Sequence, residues 1–282
     1  MLKQRLATAA ILLPLILLAL FLPTVWLWRV VVSLFIAVAW WEWVRMSGAE
    51  RKLGFIVFAT AIFVCLLIVF AGVGFLLGAV ILMMLLWFVA IGCCYLIPEK
   101  LNHIILPQTK LLFGAVVLAY SWWSLIWLRE QPNGPFWVLG FLIVIWLADT
   151  GAYFSGKRFG KRKLAPHISP GKTVEGFLGG LLCVVIYSAI VPIILDEHIG
   201  VPLIIVIFIA ICLSIVSVGG DLLESWLKRR ARMKDSSQVL PGHGGVLDRI
   251  DSLIATLPFM LFAYSIMTKP IVKSVLDAVS LT

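Results

Sequence analysis

Charge is scarce in this chain. Asp, Glu, Lys and Arg make up 13% of its 282 residues against 62% hydrophobic, and the mean hydropathy is +1.08. No polar block of roughly 100 residues or more is present from which a separate soluble domain could be built. A soluble globular protein is thereby excluded, and the chain reads as one all-α integral membrane domain over 1–282. Paired cysteines are lacking too. Cys65, Cys93, Cys94, Cys183 and Cys212 lie in apolar runs without CxxC spacing or a nearby His cluster, which supports neither a disulfide framework nor a zinc site. They read as small packing residues. No small-x-small cleavage site follows the first apolar run, so Lys3, Arg5 and the stretch behind them read as a retained signal-anchor helix.

What is present is a series of long apolar runs. A helix rising about 1.5 Å per residue needs about 20 apolar residues to cross roughly 30 Å of hydrocarbon. About nine such spans are expected, near 6–23, 25–44, 54–71, 74–97, 111–128, 136–154, 174–194, 201–220 and 252–268. Only Gly72-Val73-Gly74 separates the third from the fourth, and without that turn the count changes parity.

Charge asymmetry tests the count. With nine spans and a cytoplasmic N-terminus, 19 of the 23 Lys and Arg fall on the inside, leaving Arg29, Arg129, Lys269 and Lys273. Asp196 and Glu197 then lie outside, as does the C-terminus. Trp26, Trp28, Trp40, Trp41, Trp43, Trp122, Trp123 and Trp127 cluster near span ends, where an interfacial aromatic belt explains them without a ligand.

Three polar constellations remain. In the sixth span Asp149 interrupts Trp146–Tyr153 near the cytoplasmic end, and an ionised Asp there needs a cation, a metal or water. A structural salt bridge to another helix would also account for it. The following loop carries Lys157, Arg158, Lys161, Arg162, Lys163 and Lys172; Lys161 to Lys163 would equally suit anionic lipid headgroups. Within it, Ser169-Pro170-Gly171-Lys172-Thr173 places two hydroxyls and a lysine at the start of the next helix, whose free N–H groups attract phosphate. It is not a Walker A loop, because Pro166 stands where the first Gly is required and no strand is expected before it.

The third constellation begins at Gly219-Gly220-Asp221. On a helix Asp221, Glu224, Ser225 and Lys228 form one polar stripe, while Leu222, Leu223, Trp226 and Leu227 face elsewhere. An internal ladder of ion pairs is the plain alternative. Beyond the stripe, Pro241-Gly242-His243-Gly244-Gly245 leads to Asp248 and Asp251, one turn apart. Gly244 and Gly245 let the backbone approach a bulky anion. Asp221 and Asp248, with Asp149 or Asp251, are hard oxygen ligands suited to Mg2+, which takes one or two carboxylates plus waters and phosphate oxygens. Nearby Lys and Arg would neutralise a polyphosphate. His243 is either a hydrogen-bonding strut or an acid–base group.

The pattern Ser225-x-x-Lys228-Arg229-x4-Lys234-Asp235-x-Ser237-x2-Leu240-Pro241-x-His243-Gly244-Gly245-x2-Asp248-Arg249-x-Asp251 resembles the signature of the phosphatidate cytidylyltransferases, also called CDP-diacylglycerol synthases. Asp149-x-Gly151-Ala152-Tyr153, Gly156-Lys157, Phe159-Gly160-Lys161 and Ser169-Pro170-x-Lys172-Thr173-x-Glu175-Gly176 resemble that family's second block. The likeness covers about residues 146–255, and Gly171 departs from it where many members carry a second lysine.

The resemblance implies a polytopic all-helical membrane enzyme that needs Mg2+, one or two ions with a second type not excluded. It would turn CTP and phosphatidic acid into CDP-diacylglycerol and pyrophosphate for phospholipid synthesis, at the cytoplasmic face of the inner (plasma) membrane. On this reading 1–135 is mainly scaffold, and 136–268 is the catalytic half with loops 155–173 and 221–251. Asp221, Asp248, Lys172 and Lys228 would be catalytic. Ser169, Lys172, Thr173, Ser225, Lys228, Arg229, Lys234, His243, Gly244, Gly245 and Arg249 would hold phosphates, and Asp221, Asp248, Asp149 and Asp251 the metal. Partners would be CTP, phosphatidic acid and membrane lipids, with a homo-oligomer admitted. Nucleic acid is a poor explanation of the +9 net charge, since the cations follow membrane sidedness. A transporter would spread its acids at mid-depth. Another membrane phosphotransferase, such as a polyprenyl-phosphate sugar transferase or a CDP-alcohol phosphotransferase, is a further alternative; the DGxxAR-type block of the latter family is absent.

Overall fold

The computed structural model describes residues 2–70, 73–96, 105–194 and 201–268. Among these residues it contains nine helices and one small hairpin. The helices are α1 (Leu2–Phe21), α2 (Val25–Ser47), α3 (Arg51–Phe70), α4 (Val73–Leu96), α5 (Pro107–Glu130), α6 (Gly134–Phe159), α7 (Val174–Ile194), α8 (Leu203–Arg230) and α9 (Leu247–Thr268). Strands β1 (Lys163–Ala165) and β2 (Ser169–Thr173) pair antiparallel between α6 and α7. Seven helices are long and apolar enough to cross a membrane, and α1 adds a shorter apolar stretch, Ala10–Phe21. The chain is a multi-pass membrane protein. Within hydrocarbon only structures that satisfy their own backbone survive, so long helices are the outcome this composition allows.

Contacts between helix ends define two ends of the bundle. At one end Trp43 Nε1 donates to Lys110 O at 2.9 Å, Thr8 Oγ1 to Pro241 O at 2.9 Å, and Tyr95 reaches Leu164 O of the hairpin. At the other, Arg29 pairs with Glu130 at 2.7 Å, and Arg129 donates to Leu20 O and Leu22 O, the free carbonyls at the end of α1. The C-terminal ends of α2 and α4 thus share one end of the bundle. Of the turn expected at Gly72-Val73-Gly74, Gly72 lies outside the described residues, and Val73 and Gly74 belong to α4. Lys269, Lys273, Asp196 and Glu197 also lie outside the described residues.

The hairpin corrects the expectation that Ser169–Thr173 opens a helix. These residues form β2, with Lys163 opposite Thr173 and Ala165 opposite Ser169. Thr173 then caps α7, its hydroxyl accepting from Gly176 N at 3.1 Å, and Val174 N is taken by Arg162 O. Glu175 binds Lys161 N, Arg162 N and Arg162 Nε. Much of the N–H capacity expected to attract phosphate at this helix start is used internally.

The tryptophans correct a second expectation. Trp26 and Trp41 are exposed, but Trp28, Trp40 and Trp43 are buried. Trp28 Nε1 donates to Leu125 O and Trp122 Nε1 to Ser33 Oγ. Indoles whose N–H finds a carbonyl or hydroxyl on the neighbouring helix are at home inside the bundle, so much of this group packs α2 on α5 rather than forming a belt. The described cysteines, Cys93, Cys94, Cys183 and Cys212, are free thiols.

Small residues bring the site-bearing helices together, as is usual in membrane bundles. A Cβ on Gly180 would strike Ala148 O, and one on Gly176 would lie 2.7 Å from Ala152 O, so α6 and α7 pack backbone to backbone beside Asp149. A Cβ on Gly220 would lie 2.5 Å from Ala255 Cβ, which locks α8 on α9 beside Asp221 and Asp251.

Candidate active site

At the end of the bundle that holds the hairpin, a cavity of about 580 Å³ opens between α1, α2, α5, α6, α8 and α9. Most of its wall is apolar, including Leu12, Ile16, Phe35, Leu125, Leu142 and Leu257. One region is charged, where Asp149, Asp221, Lys228, Asp235, His243, Asp248, Arg249 and Asp251 line it. The acids from α6, α8 and α9 therefore converge on one space. Asp149 is exposed into it and faces the charges of Asp221, Lys172 and Arg249; Asp251 faces those of Asp221, Lys172 and Lys228.

The polar stripe on α8 forms as its spacing predicts. Asp221 receives Ser225 Oγ at 3.2 Å on one oxygen, and Lys172 Nζ, reaching from β2, at 2.6 Å on the other. One turn further on, Lys228 Nζ lies between Glu224 Oε2 and Asp248 Oδ1, the latter at 2.6 Å. This triad is deeply buried: the side chains of Lys228, Glu224 and Asp248 are 13%, 4% and 6% exposed. Buried charges persist only when paired. Glu224 Oε2 pairs with Lys228, and its Oε1 has no hydrogen-bond partner.

Asp248 is more fully engaged. Its Oδ2 accepts Ser236 N at 2.9 Å, Ser236 Oγ at 3.0 Å and Gly245 N at 2.8 Å. The two glycines serve this carboxylate and one other. Gly244 has φ +86°, and a Cβ there would lie 2.8 Å from Asp248 Oδ2; a Cβ on Gly245 would strike Ser236 Oγ and stand 2.5 Å from Glu42 Oε1. In this structure the close approach that these glycines permit is to the protein's own acids.

Glu42, near the end of α2, escaped the sequence reading. It is fully buried and accepts four donors: Ser236 Oγ at 3.0 Å, Ser237 Oγ at 2.5 Å, Val246 N at 3.0 Å and Leu247 N at 2.7 Å. With Asp248 it caps the start of α9 from outside. Its signal was legible, for it is the one acid in α2, and an ionisable residue inside an apolar span demands a partner.

The remaining expected residues divide into two groups. His243 and Arg249 line the cavity; His243 Nδ1 is buried without a partner, and Arg249 Nε donates to His243 O at 3.1 Å. Arg229 and Lys234 are exposed outside the cavity wall, Thr173 is buried at its cap, and Ser169 is half-buried in β2. No three His, Cys, Asp or Glu side chains among the described residues stand close enough to hold a metal by themselves. A Mg2+ ion drawing one or two carboxylates from the protein and the rest from water and phosphate does fit this donor set, which consists of carboxylates lining a polar recess beside Glu224, whose Oε1 has no hydrogen-bond partner.

A helical membrane bundle whose apolar cavity ends in a cluster of acids and bases is suited to a membrane enzyme handling an amphiphilic phosphate. Residues 3–267 match the cytidylyltransferase family, and the chain belongs to it. It is 39% identical over 259 residues to the phosphatidate cytidylyltransferase of Pseudomonas aeruginosa, covering 92% of this chain and 95% of that one. It is 35% identical to the Haemophilus influenzae phosphatidate cytidylyltransferase, with 94% and 99% covered. To that of Bacillus subtilis it is 48% identical over 43% and 44% of the two chains.

Proposed function

We propose that this protein transfers the cytidylyl group of CTP to phosphatidic acid, releasing pyrophosphate and leaving CDP-diacylglycerol in the membrane. The observation that carries the reading is the cavity, whose long apolar wall suits a lipid tail and whose charged end suits two phosphate-bearing reactants. Family membership and the names of the relatives support the same substrates.

The lipid enters sideways with its phosphate at the charged end, while CTP arrives from the cytoplasm of the inner membrane, which the hairpin end faces. An ionised oxygen of the lipid phosphate attacks the α-phosphorus of CTP. A new P–O bond forms, the bond from the α-phosphorus to its β-bridging oxygen breaks, and pyrophosphate leaves with that electron pair. The nucleophile is already anionic, so no strong base is required, and positioning and charge stabilisation supply the catalysis.

Arg249 and Lys172 stand beside the acids at the cavity end, where phosphates need cations, and the exposed Arg229 and Lys234 meet the triphosphate from outside. Asp221 and Asp248 would hold the Mg2+, with Asp149 and Asp251 as further ligands or partners beside them. The chemistry Mg2+ would supply there is neutralisation of the phosphate charge.

Purified protein supplied with radiolabelled CTP, phosphatidic acid and Mg2+ should yield lipid-bound cytidine. Folded protein that labels no lipid would end this reading.

A further inference from the structure

We infer that Glu42 is a positioning residue for this reaction: held in α2, it sets the 236–247 loop and, through Ser236, the orientation of Asp248. The inference rests on the cytidylyl-transfer reading. Glu42 lies outside the cavity lining and is wholly buried, so it touches neither substrate. Its reach is through other groups. Ser236 Oγ stands 3.0 Å from Glu42 Oε2 and 3.0 Å from Asp248 Oδ2, one hydroxyl between two carboxylates from distant parts of the chain. Asp248 in turn holds Lys228 at the charged end of the cavity.

The arrangement requires a carboxylate at position 42. Each oxygen of Glu42 takes one main-chain N–H and one hydroxyl: Oε1 serves Val246 N and Ser237 Oγ, and Oε2 serves Leu247 N and Ser236 Oγ. A Gln at this position has the same size but must turn its NH2 toward one main-chain N–H whichever way it faces. Donor would then oppose donor in a buried site, and the loop must shift. No slack exists to absorb the shift, because Gly245 already touches Ser236 and Glu42 with no room for a Cβ.

Two neighbouring serines separate positioning from mere support. Ser236 and Ser237 are both buried, and both give a hydroxyl to Glu42. Of the two hydroxyls, only that of Ser236 also meets Asp248. Kinetics of E42Q, S236A and S237A, measured beside their thermal midpoints in detergent, test the inference. Displacing reacting groups by about 1 Å costs up to about a hundredfold in rate. E42Q and S236A should therefore lower kcat by about tenfold to a hundredfold while the KM for phosphatidic acid stays within about twofold, and S237A should stay near wild type in both. If S236A and S237A lose kcat equally, or if E42Q keeps wild-type kcat, the inference is overturned. Should E42Q fail to fold, the serine pair decides alone. Wild-type protein without cytidylyl transfer would instead overturn the reading of function, so the two failures are distinguishable.

Discussion

Replacing Lys228 by Met keeps the length of the side chain and removes its charge from between Glu224 and Asp248. The two acids are 4% and 6% exposed, so solvent screening is slight. Removing one partner of such a buried pair costs about 3–5 kcal/mol, which for a chain of this size lowers Tm by on the order of 10 °C. The structure also states where the cost falls. Asp248 keeps two main-chain donors, Ser236 N and Gly245 N, and shares the one Ser236 hydroxyl proton with Glu42, whereas Glu224 is left with no hydrogen bond. Adding Glu224→Gln to Lys228→Met should therefore recover most of the lost Tm, and adding Asp248→Asn should recover little or lower it further. Fluorescence-detected thermal melts of the detergent-solubilised variants read both effects. A Lys228→Met protein melting within about 1 °C of wild type, or better rescue by Asp248→Asn than by Glu224→Gln, would refute the assignment of Glu224 as the dependent charge.

Asp221→Asn should reduce turnover at least about a hundredfold with a normal elution profile in detergent; near-normal activity would remove Asp221 from the metal site. Gly220→Ala drives a methyl group against Ala255 and should cost about 1–3 kcal/mol in stability, seen as a lower Tm together with reduced activity. Arg249→Glu should raise the KM for CTP about tenfold, the worth of one charge-assisted hydrogen bond, and the effect should shrink as salt is added. Leu12→Trp narrows the apolar part of the cavity and should raise the KM for phosphatidic acid while leaving that for CTP unchanged; equal effects on both would argue against a lipid tail beside α1.

The helices of the described residues were legible because membrane solvation acts on each apolar run separately. Every run of about 20 apolar residues must close its own backbone hydrogen bonds, whatever its neighbours do. The polar stripe of α8 was legible for the same reason, since Asp221, Glu224, Ser225 and Lys228 fall on one face through the helical repeat alone. The hairpin was not. Ser169–Thr173 carries no strand alternation, and its pairing with Lys163–Ala165 is held by Glu175 gripping Lys161 and Arg162.

Local residue chemistry therefore determined the membrane class, the helices and the set of acids and bases proposed for the phosphate site; these depend on short stretches of chain. Partnership was decided only by the tertiary structure. That Gly244 and Gly245 accommodate carboxylates of the protein itself, that Lys228 is held by Glu224 and Asp248, and that α1 and α2 wall the cavity while Glu42 caps α9 all join residues far apart in sequence. A buried charge is satisfied by whichever group the packing brings within about 3 Å, and helical periodicity within one span carries no record of which group that is.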